Sequence, residues 1–326
     1  MTDNNDVLVD AFRRHIADIS TPEAVRAVEC GDAAQSMWQD LVQSGFLDAL
    51  VPEAAGGAGL GLQQLFPLLM ALGEHAVPLP FGETMVARGL VSARGGTVPD
   101  EAIVVLAPGS ALIPGARYAT HALIERDGAL MLVEASAKGD DVFHTGSATA
   151  LAYGETVWSA PAGGEPLLLA AAATTSAQMA GAMARILDMT LRHASDRQQF
   201  GRAIGKFQAI QQQIAVLAEQ VISTQVATRI AFVGTEFDIA RVATGKCRAN
   251  EASHTVCAIS HAVHGAIGAT EEFDLQLYTR RLKQWQLAFG SESYWGARLA
   301  RERQSSGLKS TADFLRLRLA HREDAA

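Results

Sequence analysis

Apolar residues recur at helical spacing through the first part of the chain. They then gather into short runs near the middle and return to helical spacing for the second half. Met37, Trp38, Leu41, Val42, Phe46 and Leu47 fall three and four apart, the signature of an amphipathic helix. A glycine-rich turn at 51–60 separates them from a second apolar helix marked by Leu60, Leu62, Leu65, Leu68, Leu69 and Leu72. Val77-Pro78-Leu79-Pro80 stops that helix, because proline lacks a backbone donor and restricts the residue before it.

From about 96 the period changes. Ile103-Val104-Val105-Leu106 is a short apolar run closed by Pro108-Gly109. The runs 121–124 and 130–133 flank Arg126-Asp127-Gly128, a hairpin signal. Trp158 follows, and its expected place is against the helices of the second half. After about 166 the pattern is helical again. Ala180, Met183, Leu187 and Leu191 share one face of a first helix; Ile210, Ile214, Leu217 and Val221 share one face of a second. A third is expected over 237–264 and a fourth over 271–289, with Glu271 and Glu272 as first-turn acids. Long amphipathic helices with short connections make a bundle. The expected fold is therefore mainly α. It has an N-terminal helical domain over 1–95, a reduced β-domain over 96–165 and a C-terminal four-helix bundle over 166–326.

Composition narrows the function classes. The net charge of −8 with no basic stripe argues against a nucleic-acid binder. Cys30, Cys247 and Cys257 are scattered, odd in number and without metal-ligand spacing, so no metal site is expected and a reducing, cytoplasmic setting is. The polar, acidic first six residues do not read as a signal peptide, and no apolar run reaches the length of about 18 residues that suggests a membrane span.

The chemistry concentrates at 197–208, Arg-Gln-Gln-Phe-Gly-Arg-Ala-Ile-Gly-Lys-Phe-Gln. A permanently charged guanidinium, an aromatic ring, two glycines and a side-chain amide meet at one helix–helix corner. Those groups suit the pyrophosphate and adenine of a dinucleotide. The competing reading is a basic helix C-terminus closed by Gly201.

With Trp38 through Gly59 and His264-Gly265-Ala266-Ile267-Gly268 followed by Glu272 and Arg280, this pattern resembles the acyl-CoA dehydrogenases. The resemblance covers nearly the whole chain. It implies FAD as cofactor, with Arg197 at the pyrophosphate, Phe200 beside the adenine, Gly201 allowing close backbone approach, Gln208 as the amide of the same corner, and Gly265 and Gly268 forming a second corner. In that family these corners serve the ADP part of an FAD that a neighbouring subunit also holds. The family usually carries Gln and Gly where this chain has Ala262 and Ala266. His264 reads as a packed helix-end histidine.

The reaction implied needs a carboxylate to take the α-proton while the flavin accepts the β-hydride. Counting along the motif puts Phe289 where the family's usual base stands, and the alternative location falls on Ala171-Ala172. Glu292, three residues on, is the remaining candidate, and it also reads as a solvated helix-start acid. The family's flavin- and thioester-holding stretches of the β-domain have no counterpart over 96–165. Three readings stand. The first is a non-catalytic subunit, like those of heteromeric enzymes of bacterial steroid and other bulky-acyl degradation. It would contribute the ADP half of a shared FAD site to a base-bearing partner that binds acyl-CoA and passes electrons to an electron-transfer flavoprotein. The second is a self-sufficient dehydrogenase using Glu292. The third is a flavin-free scaffold.

Overall fold

The computed structural model describes residues 4–109, 112–139 and 148–319. Five helices open the chain: α1 Asn4–Ile19, α2 Pro22–Glu29, α3 Ala34–Gln43, α4 Leu62–Glu74 and α5 Phe81–Ser92. Local chemistry sets their ends. The Thr21 hydroxyl accepts from the Ala24 amide with Pro22 in the first helical position, and the Gln64 amide oxygen accepts from Gly61 N–H at the start of α4. Phe12, Trp38, Leu65, Leu68, Leu69 and Phe81 bury their side chains in one shared core.

The middle segment forms one four-stranded sheet: β1 Val104–Ala107, β2 His121–Arg126, β3 Ala129–Lys138 and β4 Ala150–Pro161, in that spatial order. The first pair is parallel and the other two antiparallel. Asp127 and Gly128 take φ of 52° and 74° between β2 and β3, the positive pair that a tight two-residue hairpin demands. Trp158 lies on β4 opposite Leu132, and a Cβ on Gly96 would come within 2.3 Å of its indole nitrogen. The ring therefore packs on the turn after α5, against the main core. Gly96 leaves a slot there that no pattern of periodicity reveals.

Two-residue strands β5 Gln198–Gln199 and β6 Arg202–Ala203 interrupt the helical second half, which comprises α6 Pro166–Asp196, α7 Gln208–Ile230, α8 Ile239–His264, α9 Leu275–Leu287, α10 Glu292–Ser305 and α11 Thr311–Phe314. Helices α6–α9 are the expected bundle. Asp238 caps α8 by accepting from the amides of Ala240 and Arg241, so that helix starts two residues later than its apolar pattern suggests. The fourth helix starts at Leu275. Glu271 and Glu272 precede it and are not its first-turn acids, and Asp274 takes the cap position. Leu191 is 45% exposed, while Thr190 and Ala194 beside it are buried, so the last turns of α6 bury a face that does not include Leu191.

α6 decides how the layers meet. By length and composition it could cross a membrane, contrary to the reading of the apolar runs, yet 83% of its apolar window is buried inside the fold. Its alanine-rich stretch from Ala170 to Gly181 is buried on every side. A Cβ on Gly181 would sit 1.9 Å from the Met70 carbonyl oxygen, and one on Gly73 would sit 1.9 Å from the Gln178 carbonyl oxygen. α4 and α6 thus cross backbone on backbone.

Gly73→Ala or Gly181→Ala must push the two helices apart, overpacking worth about 3 kcal/mol or more. Urea unfolding of either variant is expected to show that loss or no folded protein. A midpoint equal to that of the parent chain would contradict the crossing.

Candidate functional site

The corner at the end of α6 is built by a hairpin. Arg197 is the C-cap of α6, with its amide donating to the His193 carbonyl. Gln198 pairs with Ala203 and Gln199 with Arg202, leaving Phe200 and Gly201 as the tip, at φ of 50° and 80°. Gly201 therefore turns a hairpin and does not cap the helix. A positive φ costs a phenylalanine energy, and the ring gains no burial in return: Phe200 is 90% exposed. It meets Phe207 edge-on at 6.2 Å, while the Arg202 guanidinium lies 4.1 Å over the Phe207 ring. Arg197, Arg202 and Gln208 are exposed, and neither arginine pairs with a carboxylate among the described residues. Gln208 is the first residue of α7.

The second corner lies at the end of α8. Gly265 has φ 66° and open space where a Cβ would be, so its backbone is approachable. Gly268 differs: a Cβ there would fall 2.8 Å from the Cβ of His264 and 3.1 Å from Leu275, so its job is packing. His264 is buried, and its ring stacks on His193 with centroids 4.4 Å apart and planes at 28°. That stack joins the two corners at one end of the bundle. Arg280, from the motif that follows, is instead ion-paired to Glu29 at 2.8 Å, as is Arg281, tying α9 to α2.

The sequence and the fold both match known proteins. The family model of the acyl-CoA dehydrogenase C-terminal domain matches residues 167–303. Acyl-CoA dehydrogenase IpdE2 of Mycobacterium tuberculosis is 30% identical over 282 residues, 82% of this chain and 86% of that protein. IpdE2 of Mycolicibacterium smegmatis is 29% identical over 296 residues, 86% of this chain and 93% of that protein. The chain belongs to the acyl-CoA dehydrogenase family. Among solved structures, a glycine-to-alanine variant of the Tcur3481-Tcur3483 steroid ACAD superposes with a TM-score of 0.82 at 25% identity, covering 93% of this chain and 98% of that one. The ChsE4-ChsE5 complex from Mycobacterium tuberculosis shares the fold, with a TM-score of 0.79 at 22% identity over 95% of this chain and 99% of that one.

The family is one of FAD-dependent oxidoreductases, and the donor set at the hairpin corner fits a dinucleotide diphosphate. Two guanidiniums without carboxylate partners, an approachable glycine backbone and an uncovered phenyl ring supply charge, close approach and a stacking face.

The position that the sequence pattern offers for the base is closed. Phe289 is 4% exposed within the main core, at φ 57°, and its carbonyl accepts the Trp295 indole N–H at 2.9 Å. Asn250 donates to the Gly290 carbonyl at 3.0 Å. The buried Lys246 ammonium donates to Asn250 Oδ1 at 2.6 Å and to the Trp285 carbonyl at 2.8 Å. Burial lowers Lys246 to about 7, opposed by the charge of Glu292. Glu292 is the first residue of α10, behind the Ser291 cap, where its charge suits the helix dipole. Ala171 and Ala172 are buried in α6. Lys246 and His264 are separated by roughly 27 Å of α8, at 1.5 Å rise per residue.

One titratable group escaped the sequence reading. Glu83 in the first turn of α5 reads as an ordinary helix-start acid, but the fold buries it to 6% exposure. It lines a small cleft with Pro80, Gln178, Arg281, Gln284 and Trp285. Gln178 Nε2 donates to its Oε1 at 3.2 Å, while Oε2 has no partner. Burial pushes its carboxyl up to about 7.

A raised folded value means that folding favours the protonated acid. That contribution is complete below the ordinary value of 4.5 and is lost as pH rises through about 7. Glu83→Gln keeps the Gln178 contact without the charge. Its unfolding free energy is expected to match the parent near pH 5 and to exceed it above pH 8 by up to about 3 kcal/mol. Parallel stability curves across that range would show that Glu83 is not buried as described.

Proposed function

We propose that this chain is the non-catalytic subunit of an FAD-dependent acyl-CoA dehydrogenase assembly that desaturates an acyl-CoA thioester. Arg197 holds the pyrophosphate, with Arg202 beside it, and Phe200 and Gly201 face the adenine. Gln208 adds its amide, and the Gly265 turn approaches from α8. The flavin, when bound, supplies the hydride acceptor. A base-bearing partner subunit supplies the carboxylate and binds the acyl-CoA, and an electron-transfer flavoprotein receives the electrons. The observation that carries this reading is the pairing of a 90% exposed Phe200 at the nucleotide corner with a buried Phe289 at the base position. A strained, uncovered ring makes physical sense when another surface or ligand covers it, and a sealed phenyl ring cannot accept a proton. The reducing setting suggested by three unpaired cysteines fits a cytoplasmic location.

Two solved neighbours, the ChsE4-ChsE5 complex and the Tcur3481-Tcur3483 steroid ACAD, are named as pairs of proteins, which favours a heteromeric assembly here. A self-sufficient enzyme using Glu292 is the weaker reading, because that residue sits beside the pinned α9–α10 turn, far along α8 from the nucleotide corner. A flavin-free scaffold leaves the exposed ring and unpaired guanidiniums without a purpose.

The test is coexpression with a base-bearing partner. Arg197→Ala removes a charge-assisted phosphate contact and is expected to lower the FAD affinity of the complex by roughly tenfold or more, at unchanged melting temperature. Glu292→Gln is expected to leave turnover intact. Full dehydrogenation by the isolated chain, or an Arg197→Ala complex that retains its flavin undiminished, would overturn the assignment.

A further inference from the structure

We infer that His193 is an additional diphosphate-binding group of the nucleotide corner, held in place for that task by the buried ring of His264. This rests on the reading of the corner given above. His193 precedes Arg197 by four residues, so both project from the same face of the last turns of α6. His264 ends α8 and directly precedes the approachable Gly265. The two stacked imidazoles therefore lie between the guanidinium of one corner and the open backbone of the other.

The pair is fixed by more than stacking. His264 Nδ1 meets the Ser260 carbonyl at 2.8 Å; a carbonyl only accepts, so that nitrogen carries the proton. Its Nε2 is buried with no hydrogen-bond partner. Phe273 closes the far side, 5.0 Å from His264 and 6.2 Å from His193. His193 is half-buried, and its ring makes no hydrogen bond among the described residues. A half-open imidazole locked in orientation, with no internal partner and a guanidinium one turn away, is a donor awaiting an acceptor.

The surrounding charges give the site a sense of pH. On α6, Asp196 favours the charged form of His193 and Arg197 opposes it; on α8, burial holds the stacked His264 below its ordinary value, and a charge on His193 lowers it further. His261 also faces His264, bonded to the Thr279 hydroxyl of α9 at 3.1 Å. Burial and Arg197 together hold His193 below its ordinary imidazole value, which favours the neutral ring in the free corner. A bound diphosphate neutralises Arg197 and presents anionic oxygens to the imidazole, and both effects favour protonation. Binding then takes up a proton at His193, so affinity rises as pH falls through the imidazole range.

ADP, AMP and inorganic pyrophosphate are the probes, applied to the full chain in its coexpressed complex stripped of flavin. ADP affinity is expected to strengthen roughly tenfold from about pH 8 to about pH 6, by linkage to one proton. The His193 ring resonances should move to the protonated position on saturation. Pyrophosphate should show the same pH profile with weaker binding, and AMP neither effect. His193→Phe preserves the stack but cannot take a proton. It should lose the gain at pH 6 while keeping the parent's melting temperature, and it controls for titration of the nucleotide's own phosphates. A pH profile unchanged in His193→Phe, or a ring resonance that ADP does not move, overturns the role of His193 while leaving the corner intact. If Arg197→Ala also leaves ADP affinity untouched, the nucleotide corner itself is wrong.

Discussion

The close crossing of α4 and α6 is the contact on which the other placements depend. Where Gly73 faces the Gln178 carbonyl and Gly181 faces the Met70 carbonyl, no side chain separates the helices. The N-terminal layer is therefore seated on the bundle by backbone shape, and the alanine run of α6 can be buried all round. Two consequences follow along the same helix. Gln178, at the crossing, reaches Glu83 on α5. Some 16 residues beyond Gly181, about 24 Å at the helical rise, α6 delivers Arg197 to the far end of the bundle.

The bundle treats its α9–α10 turn and its α6–α7 corner in opposite ways. At the α9–α10 turn, polar groups are spent on closure. Lys246, Asn250 and the Trp295 indole bond the carbonyls of Trp285, Gly290 and Phe289. A buried ammonium is costly to hold, so this turn is fastened at some expense. At the α6–α7 corner, by contrast, a phenyl ring and two guanidiniums are left uncovered. Closure at one end and openness at the other is the contrast on which the proposed sharing of a cofactor rests.

Much of this was legible in residue order. The hairpin signal Arg126-Asp127-Gly128 marked a real turn because positive φ is a local demand, met by Asp and Gly wherever they stand. The spacing of Ile210 to Val221 marked α7 for a similar reason. β4 was not legible, since much of it is exposed and its residues do not alternate cleanly. Gly201 read as a helix-closing glycine in the competing account of the corner, and only the pairing of Gln199 with Arg202 shows it at a hairpin tip. Glu83 carried no signal, because a first-turn acid looks the same on a surface helix and on a buried one. Neither did His193, whose partner lies 71 positions away at His264.

The order of residues by itself determined the helical character of both ends, the motif that places this chain among the acyl-CoA dehydrogenases, and the missing carboxylate at position 289. These are properties of local spacing and of residue chemistry, which need no neighbour to be true. Tertiary structure alone decided that Phe200 is uncovered while Phe289 is sealed, that Arg280 is committed to Glu29, and that two histidines on separate helices stack between the corners. Exposure, pairing and proton affinity are set by what packs against a group, and that is settled only when distant segments meet.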